Sequence, residues 1–437
     1  MNVSEINECL LRGETDRPGV LPHLEALRRR KHVFRLAFGL DELPEEPGVL
    51  FLRGPRQFGK STWLEGALQE TVAAHGPGSA LYLNGDEVRG EEPLREKLSE
   101  AAAAFPVNAG VRRLFVDEIT VVAGWQNALK RVLDAGELRR VLVVTTGSKA
   151  ADLRHGAERF PGRKGRLDRT TYLFTPLTFA EFRRGCGAAL GKRTWIGYLL
   201  SGGCPLAAAE LAAHGRLPEF VPTIFRDWIL GESAASGRPR ASLLAVLDRL
   251  LLWGGAPLGQ AKLAREAGLA NNTVAAAYVE LLADLCCLGV SQAWDPEGRV
   301  RLMRRPAKYH FICLAAATAW HPARLRSVDD WLRLPEPEQG KWLEWLVAQE
   351  LWRRAAIRGD ESPEQLTHWQ SPEHELDFVL DPNSFLEVKR GRTSALEFAW
   401  FPKVFPKARL TVVGKDRFET DRVRGVTVED FLEDDEG

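Results

Sequence analysis

The sequence predicts an α/β protein with a central parallel sheet that helices cover on both faces. Short strands, apolar throughout rather than alternating, are separated by helix-forming stretches, as in a sheet buried on both sides. These strands fall at residues 49–52, 81–88, 114–116 and 141–148. A glycine-rich motif joins the first strand to a helix, and an Asp-Glu pair ends the third strand.

The glycine-rich motif runs from Gly54 to Ser61 and reads G-x-x-x-x-G-K-S. Its glycines let backbone N–H groups wrap around phosphate oxygens, and the helix that begins near Lys60 points its positive end at them. Lys60 is expected to reach the β- and γ-phosphates, and Ser61 to ligate Mg²⁺. The alternative is a glycine-rich turn that binds nothing. We predict bound ATP, with GTP left open, contacting Gly54, Pro55, Arg56, Gln57, Phe58, Gly59, Lys60, Ser61 and Thr62.

The third and fourth strands end in residues suited to phosphate hydrolysis. Asp117 is expected to hold Mg²⁺ through water, and Glu118 to orient the attacking water. The pair lies about sixty residues after Lys60. The polar end of the next strand, with Ser148 as the candidate, is suited to sense the γ-phosphate. The alternative there is a simple Gly-Ser turn.

Phosphoryl transfer also needs a cation near the redistributing charge, and arginine is the usual supplier. The segment ERFPGRKGRLDR offers Arg163, Arg166 and Arg169, of which Arg163 is our first choice. The alternative is a solvated basic loop. The sequence leaves open whether such an arginine acts within its own chain or across an oligomer.

Composition limits the class of protein. The 437 residues should form about three domains. Lys plus Arg equals Asp plus Glu at 59 each, so a nucleic-acid partner must be argued from local patches. The six cysteines show no metal or disulfide spacing and indicate buried thiols in a reducing compartment. Without a visible signal peptide or an apolar run long enough to span a membrane, we expect a cytoplasmic protein with no membrane partner.

Residues 262–290 have the pattern of a helix-turn-helix. The first helix ends at Gly268, and the second begins near Asn271 or Asn272, both good N-cap residues. A polar hairpin with residues 295–298 at its tip would form a wing. Basic side chains lie on this wing rather than on the second helix: Arg299, Arg301, Arg304, Arg305 and Lys308. The pattern favours phosphate contacts with little sequence specificity; the alternative is an internal packing or regulatory module.

The segment ELDFVLDPNSFLEVKRG predicts a second chemical site. Two strands, residues 375–380 and 384–389, are joined by a tight turn. Glu387 and Lys389 share one face, and Asp377 on the partner strand is within reach of Glu387. Two carboxylates and a lysine so placed form a Mg²⁺ site that activates water for phosphodiester attack. The alternative is a charged outer sheet face without chemistry.

Upstream of that hairpin, KWLEWLVAQEL predicts a helix with Glu344 and Glu350 on nearly opposite faces. Tryptophans recur along it at helical spacing, which favours a core stripe over a base-stacking surface. They are Trp342, Trp345 and Trp352.

Several segments together resemble the predicted bacterial and archaeal AAA-type ATPases that carry a C-terminal domain of the PD-(D/E)XK nuclease superfamily. The segments are GPRQFGKST, LFVDEI, VVTTGSKAADL, PGRKGR followed by YLFTPLTFAEF, SGGCPLAAAE, and the C-terminal hairpin and helix. The resemblance spans nearly the whole chain beyond about residue 20, and it favours Glu344 as the helix acid of the nuclease core. The family commonly has Arg where Gln57 stands and Ser where Lys149 stands, which bears on loop rigidity and on the sensor assignment.

The patterns along the chain, together with the resemblance, predict five domains in order. They are a helical leader (1–46), a P-loop ATPase core (47–175), a helical lid (176–238), a winged helix (239–325) and a restriction-endonuclease-like α/β domain (326–437). In the last domain, Glu344, Asp377 and Glu387 would hold Mg²⁺, and Asp377, Glu387 and Lys389 would be catalytic.

The expected function is that of an AAA-type enzyme that hydrolyses ATP with Mg²⁺ and couples this to nucleic-acid binding, with Mg²⁺-dependent nuclease activity in the C-terminal domain. The alternative is a nucleotide-dependent switch or scaffold whose C-terminal domain binds nucleic acid or a partner protein without cleaving. The sequence leaves the oligomeric state open.

Overall fold

A computed structural model of the protein describes residues 1–147, 160, 162 and 165–434. The chain divides into two compact units. The first unit comprises Met1–Thr175 with Ala356–Gly359, and the second comprises Pro176–Ala355 with Asp360–Gly437.

The first unit is built on the predicted parallel sheet. Its strands are β1 (Gly48–Arg53), β2 (Ala80–Asn84), β3 (Arg113–Asp117), β4 (Leu142–Thr146) and β5 (Thr171–Leu173). They pair in the order β2-β3-β4-β1-β5, and every pair is parallel. All of β1, β3 and β4 is buried, which explains why apolar residues follow one another along them instead of alternating with polar ones. The predicted α/β class and parallel sheet are confirmed.

Helices flank this sheet and complete its core. They are α1 (Val3–Arg12), α2 (Pro22–Arg28), α3 (Lys60–His75), α4 (Glu91–Ala104) and α5 (Trp125–Asp134). Leu98 of α4 and Leu129 of α5 pack in one apolar cluster with Phe51, Leu114 and Val143 of the sheet. Each such side chain stabilises the fold by about 2 kcal/mol when fully buried.

The leader is only partly helical. Residues 29–47 form no helix or strand after α2 ends at Arg28, so the predicted helical leader extends too far. The first helix has a structural task of its own, because Asn7 exchanges hydrogen bonds with the backbone of Tyr82 on edge strand β2, at 2.7 and 2.9 Å. The Asn7 amide thus satisfies backbone groups that an open sheet edge would expose.

The second unit begins with helices. Those from α6 onward are α6 (Phe179–Leu190), α7 (Thr194–Ser201), α8 (Pro205–His214), α9 (Phe220–Ala235), α10 (Arg240–Trp253), α11 (Gln260–Glu266), α12 (Asn272–Asp284), α13 (Leu314–Trp320), α14 (Val328–Leu332), α15 (Glu336–Arg358), α16 (Phe401–Val404) and α17 (Val428–Glu433). Asn271 caps α12, since its side chain accepts a hydrogen bond from Val274 N at 3.0 Å.

Two sheets accompany these helices. Their strands are β6 (Leu288–Asp295), β7 (Val300–Arg301), β8 (Lys308–Phe311), β9 (Gln365–Gln370), β10 (Glu375–Leu376), β11 (Phe378–Asp381), β12 (Ser384–Val388), β13 (Arg409–Gly414), β14 (Phe418–Glu419) and β15 (Val423–Thr427). The first sheet runs β10-β9-β6-β7 with β8 also on β6, and the second runs β11-β12-β13-β15-β14. Strand β6 pairs with β9 in parallel, so the predicted wing hairpin and the C-terminal segment share one sheet.

The strand predicted at residues 375–380 is divided in two, which is a correction. Strand β10 pairs with β9, whereas β11 pairs with β12, and Asp377 stands between them. Instead of continuing a ladder, Asp377 N donates to the Glu387 side chain at 3.2 Å, and Val388 N donates to the Asp377 side chain at 2.9 Å. Asp377 therefore lies where the chain passes from one sheet to the other.

Two further sequence expectations concern buried residues. Trp342, Trp345 and Trp352 on α15 are almost fully buried and form part of the core, so they offer no face to a base. The six cysteines are all buried with free thiols. Among the described residues, no helix is long and apolar enough to cross a membrane.

Candidate functional site

The residues from Gly54 to Ser61 form a loop that connects β1 to the start of α3. Gly54 has φ +152°, and a Cβ there would lie 2.8 Å from the carbonyl oxygen of Phe174. Gly59 precedes α3 with φ +91°. Both positions therefore require glycine, as expected of a loop whose backbone N–H groups wrap around a phosphate.

Lys60 is held inside this loop. Its Nζ donates to the carbonyl oxygens of Gly54 at 3.0 Å and of Pro55 at 2.9 Å, and the residue is buried. An ammonium group at this point lies beside the N-terminus of α3, where an anion is also favoured by the helix dipole. Phe58 is fully buried and so offers only its backbone to a ligand.

The end of β3 faces the start of α3. The Asp117 carboxylate accepts hydrogen bonds from the hydroxyls of Ser61 and Thr146 and from the backbone N–H of Glu118, the last at 3.1 Å. Thr146 ends β4, the strand next to β3. Ser61, Asp117 and Thr146, which are far apart in sequence, thus lie together at the start of α3.

These groups suit a magnesium ion. The Ser61 hydroxyl and the Asp117 carboxylate are hard oxygen donors, the type that Mg²⁺ accepts alongside water and phosphate oxygens. Burial raises the pKa of Asp117 above its ordinary value. Burial, together with the negative charges of Asp117 and Glu25, raises the pKa of Glu65 to about 7. A cation at this place would relieve an excess of buried negative charge.

Ser148 and Arg163 lie outside the described residues. Their neighbour Arg169 is described, and its guanidinium donates to the carbonyl oxygens of Ala356 and Ile357 at 2.6 and 2.7 Å, within the same unit. Because these carbonyls occupy its donors, Arg169 stabilises the fold where it stands and is a poor substitute for Arg163.

Comparison with known proteins bears on this loop and sheet. A sequence profile for the AAA domain matches residues 46–183, which contain the glycine-rich loop and Asp117. The chain therefore contains an AAA domain, and it is a P-loop ATPase. Enzymes of this type use a nucleotide, usually with Mg²⁺. No curated protein gives a significant match to the chain.

Several solved structures are similar to this ATPase at low identity. A Walker-type ATPase of Pyrococcus abyssi is 15% identical, with 71% of this chain and 97% of that chain covered and a TM-score of 0.43. The ORC2 protein of Aeropyrum pernix is 12% identical, with 63% and 86% covered and a TM-score of 0.35. Cdc6p of Pyrobaculum aerophilum is 16% identical, with 57% and 83% covered and a TM-score of 0.27.

The second unit of the ATPase contains an acidic cluster, which we define as Glu344, Glu375, Asp377 and Glu387. Its members come from α15, from β10, from the single residue between β10 and β11, and from β12. They line a cleft of about 430 Å³ together with Lys389. Lys389 Nζ donates to Glu387 Oε1 at 2.5 Å. The structure thus brings together the four residues predicted for this site, which are Glu344, Asp377, Glu387 and Lys389.

Glu344, rather than Glu350, is the acid that α15 contributes. Its Oε2 approaches Gly255, where a Cβ would lie 2.5 Å away, so glycine makes room for the carboxylate. Glu350 lies elsewhere on the helix, and its carboxylate accepts hydrogen bonds from Arg353 and Arg354 at 2.7 to 2.9 Å.

A lysine that the sequence analysis placed on the wing lies in this cluster instead, which is a second correction. Lys308 is 1% exposed. Its Nζ lies 3.2 Å from Asp377 Oδ1 and 3.5 Å from Glu344 Oε1, and it also pairs with Glu375. Lys308 and His310 alternate with two aromatic residues, a pattern that places both on one face of a strand. The pattern does not indicate which part of the protein packs against that face.

The ionisation of the cluster follows from burial and crowding. Burial, together with the charge of Asp377, raises the pKa of Glu387 to about 8 and also raises the pKa of Glu344. Burial alone would lower the pKa of Lys308, but the carboxylates of Glu344, Asp377 and Glu375 outweigh it and raise that pKa. Lys308 therefore stays charged, while the acids compete for too little positive charge.

The cluster as it stands does not fit a divalent metal ion. Among the described residues, no group of three or more His, Cys, Asp or Glu side chains is arranged to hold one. The reason is visible in the geometry: Lys308 Nζ lies against the same oxygens of Glu344 and Asp377 that a metal would need. The predicted Mg²⁺ ligands are thus assembled around an ammonium group.

Proposed function

We propose that this ATPase couples ATP hydrolysis in its first unit to the binding of nucleic acid by its second unit. The observation that supports it is a run of exposed arginines on the wing hairpin, which leads directly into the acidic cluster. A partner protein in place of nucleic acid is the alternative.

In this proposal, ATP lies in the loop from Gly54 to Ser61. Lys60 places positive charge at the phosphates, while Ser61 and Asp117 hold Mg²⁺, which neutralises phosphate charge during transfer. Glu118 orients the attacking water, and Arg163 supplies further positive charge.

The nucleic-acid surface would be the hairpin of β6 and β7 with the loop that follows. In the described segment 299–305, all four arginines are exposed: Arg299, Arg301, Arg304 and Arg305. The exposed start of α12 offers Asn271, Asn272 and Thr273 but no Arg or Lys. Arginines on a hairpin without a basic reading helix favour phosphate contacts over base readout, so we infer low sequence specificity.

This surface lies close to the acidic cluster along the chain. Three residues separate the Arg305 and Lys308 Cα atoms by no more than about 11 Å. Lys308 is buried in the cluster, whereas Arg304 and Arg305 are exposed. A phosphate backbone held at these arginines would therefore pass near the cleft.

Neutralising Arg304 and Arg305 together, as Arg304→Ala with Arg305→Ala, should weaken binding of duplex DNA or RNA about equally for all sequences. Loss of two phosphate contacts should reduce the slope of log affinity against log salt by about 2. Fluorescence anisotropy over a salt series measures both quantities. The matched control is the exposed adjacent pair Arg139 and Arg140 in the first unit. Equal affinity and slope in wild type and the Arg304/Arg305 variant would remove the basis of the proposal.

A second candidate function is metal-dependent cleavage of nucleic acid. The observation that favours it is the convergence of Glu344, Asp377, Glu387 and Lys389 in one cleft. These are the carboxylates and lysine that phosphodiester hydrolysis by a PD-(D/E)XK site requires.

If the second unit cleaves, Asp377→Asn should abolish cleavage of plasmid and single-stranded substrates in Mg²⁺ or Mn²⁺ while ATP turnover continues unchanged. The readout is gel electrophoresis of labelled DNA and RNA, with ATP present and absent. Asp381→Asn, at the exposed end of β11, is the control. Absence of any cleavage by the wild-type protein would leave binding without cleavage as its action on nucleic acid.

A further inference from the structure

The acidic cluster has two kinds of carboxylate oxygen. Some are fixed by the surrounding fold: Asp377 Oδ2 accepts from Val388 N, Glu387 Oε2 accepts from Asp377 N, and Glu387 Oε1 accepts from Lys389. Other oxygens face Lys308 instead. Asp377 Oδ1 and Glu344 Oε1 lie 3.2 and 3.5 Å from Lys308 Nζ, and Glu375 Oε1 also pairs with it.

We propose that the ammonium group of Lys308 is the resident cation of this cluster, and that a divalent metal ion binds to Asp377 and Glu344 only when the Lys308 side chain is displaced. The proposal concerns the same cleft as the second candidate function. It needs neither nucleic acid nor cleavage, so it stands or fails separately.

Competition for the same oxygen atoms supports this inference. A metal ion takes its carboxylate ligands at about 2.1 Å, and it would use the lone pairs of Asp377 Oδ1 and Glu344 Oε1 that now face the ammonium. Two cations that share these ligands in a buried place repel each other strongly, because little water screens them. Lysine and metal therefore exclude one another.

Unsatisfied groups beside the lysine indicate what would take its place. Glu344 Oε1 makes no hydrogen bond, and neither does either ring nitrogen of His310. His310 is fully buried, and its Nδ1 lies 3.6 Å from Glu344 Oε1. Buried polar atoms without partners are rare and call for a ligand. With Lys308 in place, these described groups are not arranged to hold a metal ion. Once the ammonium group leaves, carboxylate oxygens and an imidazole nitrogen are donors that Mn²⁺ accepts, and the carboxylate oxygens also suit Mg²⁺.

The negative charge around the cleft exceeds the positive charge that Lys308 provides. Among the described residues, six acidic side chains line it: Glu344, Glu373, Glu375, Asp377, Glu387 and Glu397. Lys308 and Lys389 are the lysines in that lining. Two ammonium groups do not offset six acidic side chains, and a divalent ion in place of Lys308 would add twice the charge at the same oxygens. Exchange of Lys308 for metal would thus change the cleft from closed to receptive for an anionic backbone.

Lys308 can leave the cluster without moving the strands that carry the carboxylates. The lysine comes from β8, which is held on β6 at the Ser291–Lys308 pair, and not from the hairpin that carries Asp377 and Glu387. A long, unbranched side chain withdraws by rotation about its own bonds, so the carboxylates keep their backbone hydrogen bonds when it leaves.

Titration of the full-length protein with MnCl₂, without nucleotide or nucleic acid, tests the proposal. The quantity is the part of Mn²⁺ binding that Asp377→Asn removes, measured by calorimetry or by the paramagnetic resonance of free Mn²⁺. We expect Lys308→Met to bind Mn²⁺ at this Asp377-dependent site at least about tenfold more tightly than wild type. Lys308→Arg keeps the charge and should behave as wild type.

Two results would overturn the inference. One is an Asp377-dependent Mn²⁺ site of equal affinity in wild type and Lys308→Met, and the other is no such site in a folded Lys308→Met. If Lys308→Met does not fold without metal, saturating MnCl₂ must restore a cooperative thermal transition that Asp377→Asn again abolishes. A variant that stays unfolded in MnCl₂ also contradicts the proposal.

Discussion

Replacing Lys60 with alanine is expected to lower the rate of ATP hydrolysis by about a thousandfold or more. Lys60 Nζ lies inside the loop, against the carbonyl oxygens of Gly54 and Pro55, at the N-terminus of α3. A phosphate entering that loop meets this charge directly. In phosphoryl transfer, a single fixed cation at the transferred group contributes on the order of 10³ or more to the rate.

The measurement is steady-state phosphate release at saturating ATP and Mg²⁺. Lys407→Ala removes a lysine charge at an exposed position of the second unit and serves as the matched control. Circular dichroism shows whether the loop change leaves the fold intact. Turnover within tenfold of wild type in a folded Lys60→Ala protein would contradict the assignment of this loop as the site of hydrolysis.

The ATPase sheet and its loop are predictable because their determinants are local. Gly54, Gly59 and Lys60 stand in one short motif, and each glycine has a backbone conformation or a close neighbour that excludes a side chain. The runs of consecutive apolar residues in β1, β3 and β4 indicate a sheet covered on both faces. Asp117 ends such a strand. Because the carboxyl ends of parallel strands meet at one edge of a sheet, the parallel order of the strands is enough to bring Asp117 close to the loop.

The acidic cluster is predictable only in part. Asp377, Glu387 and Lys389 belong to one hairpin, and strand alternation places them together. The split of the predicted strand at Asp377 has no local signal, because it arises when the chain passes from pairing with β9 to pairing with β12. The Asp377 carboxylate then accepts a hydrogen bond from the backbone N–H of Val388, which a continuous strand ladder would have used.

The burial of Lys308 in the acidic cluster cannot be predicted from the sequence, because it depends on long-range strand pairing. It depends on β8 pairing with β6 and on β6 pairing in parallel with β9, where Val290 faces Gln365. That pairing joins segments about 75 residues apart, and no motif in either segment specifies the other. A basic strand residue beside exposed arginines is ordinarily a surface residue. Here the strand pairing buries the Lys308 side chain, so the prediction that Lys308 lies on the surface of the wing is wrong.

Replacing Lys308 with methionine is expected to destabilise the protein by about 3 to 5 kcal/mol in metal-free buffer. The change keeps the volume of the side chain but leaves buried Asp377 and Glu344 without their cation, and loss of one partner from a buried charged group costs about this much. Urea unfolding with EDTA present measures it. An exposed lysine changed in the same way, Lys407→Met, should shift stability by no more than about 0.5 kcal/mol.

Adding Glu344→Gln to Lys308→Met should recover part of that loss, because it removes one of the carboxylates that the lysine neutralised. The double-mutant cycle should give a coupling of about 1 to 3 kcal/mol between the two positions, as expected for groups in one buried network. Strict additivity would mean that Lys308 and Glu344 do not stabilise one another, and the ammonium would then be an incidental neighbour of the carboxylate. Recovery by Glu344→Gln, together with recovery by Mn²⁺ in the single variant, would identify unpaired negative charge as the cause of the instability, whether protein or metal supplies the cation.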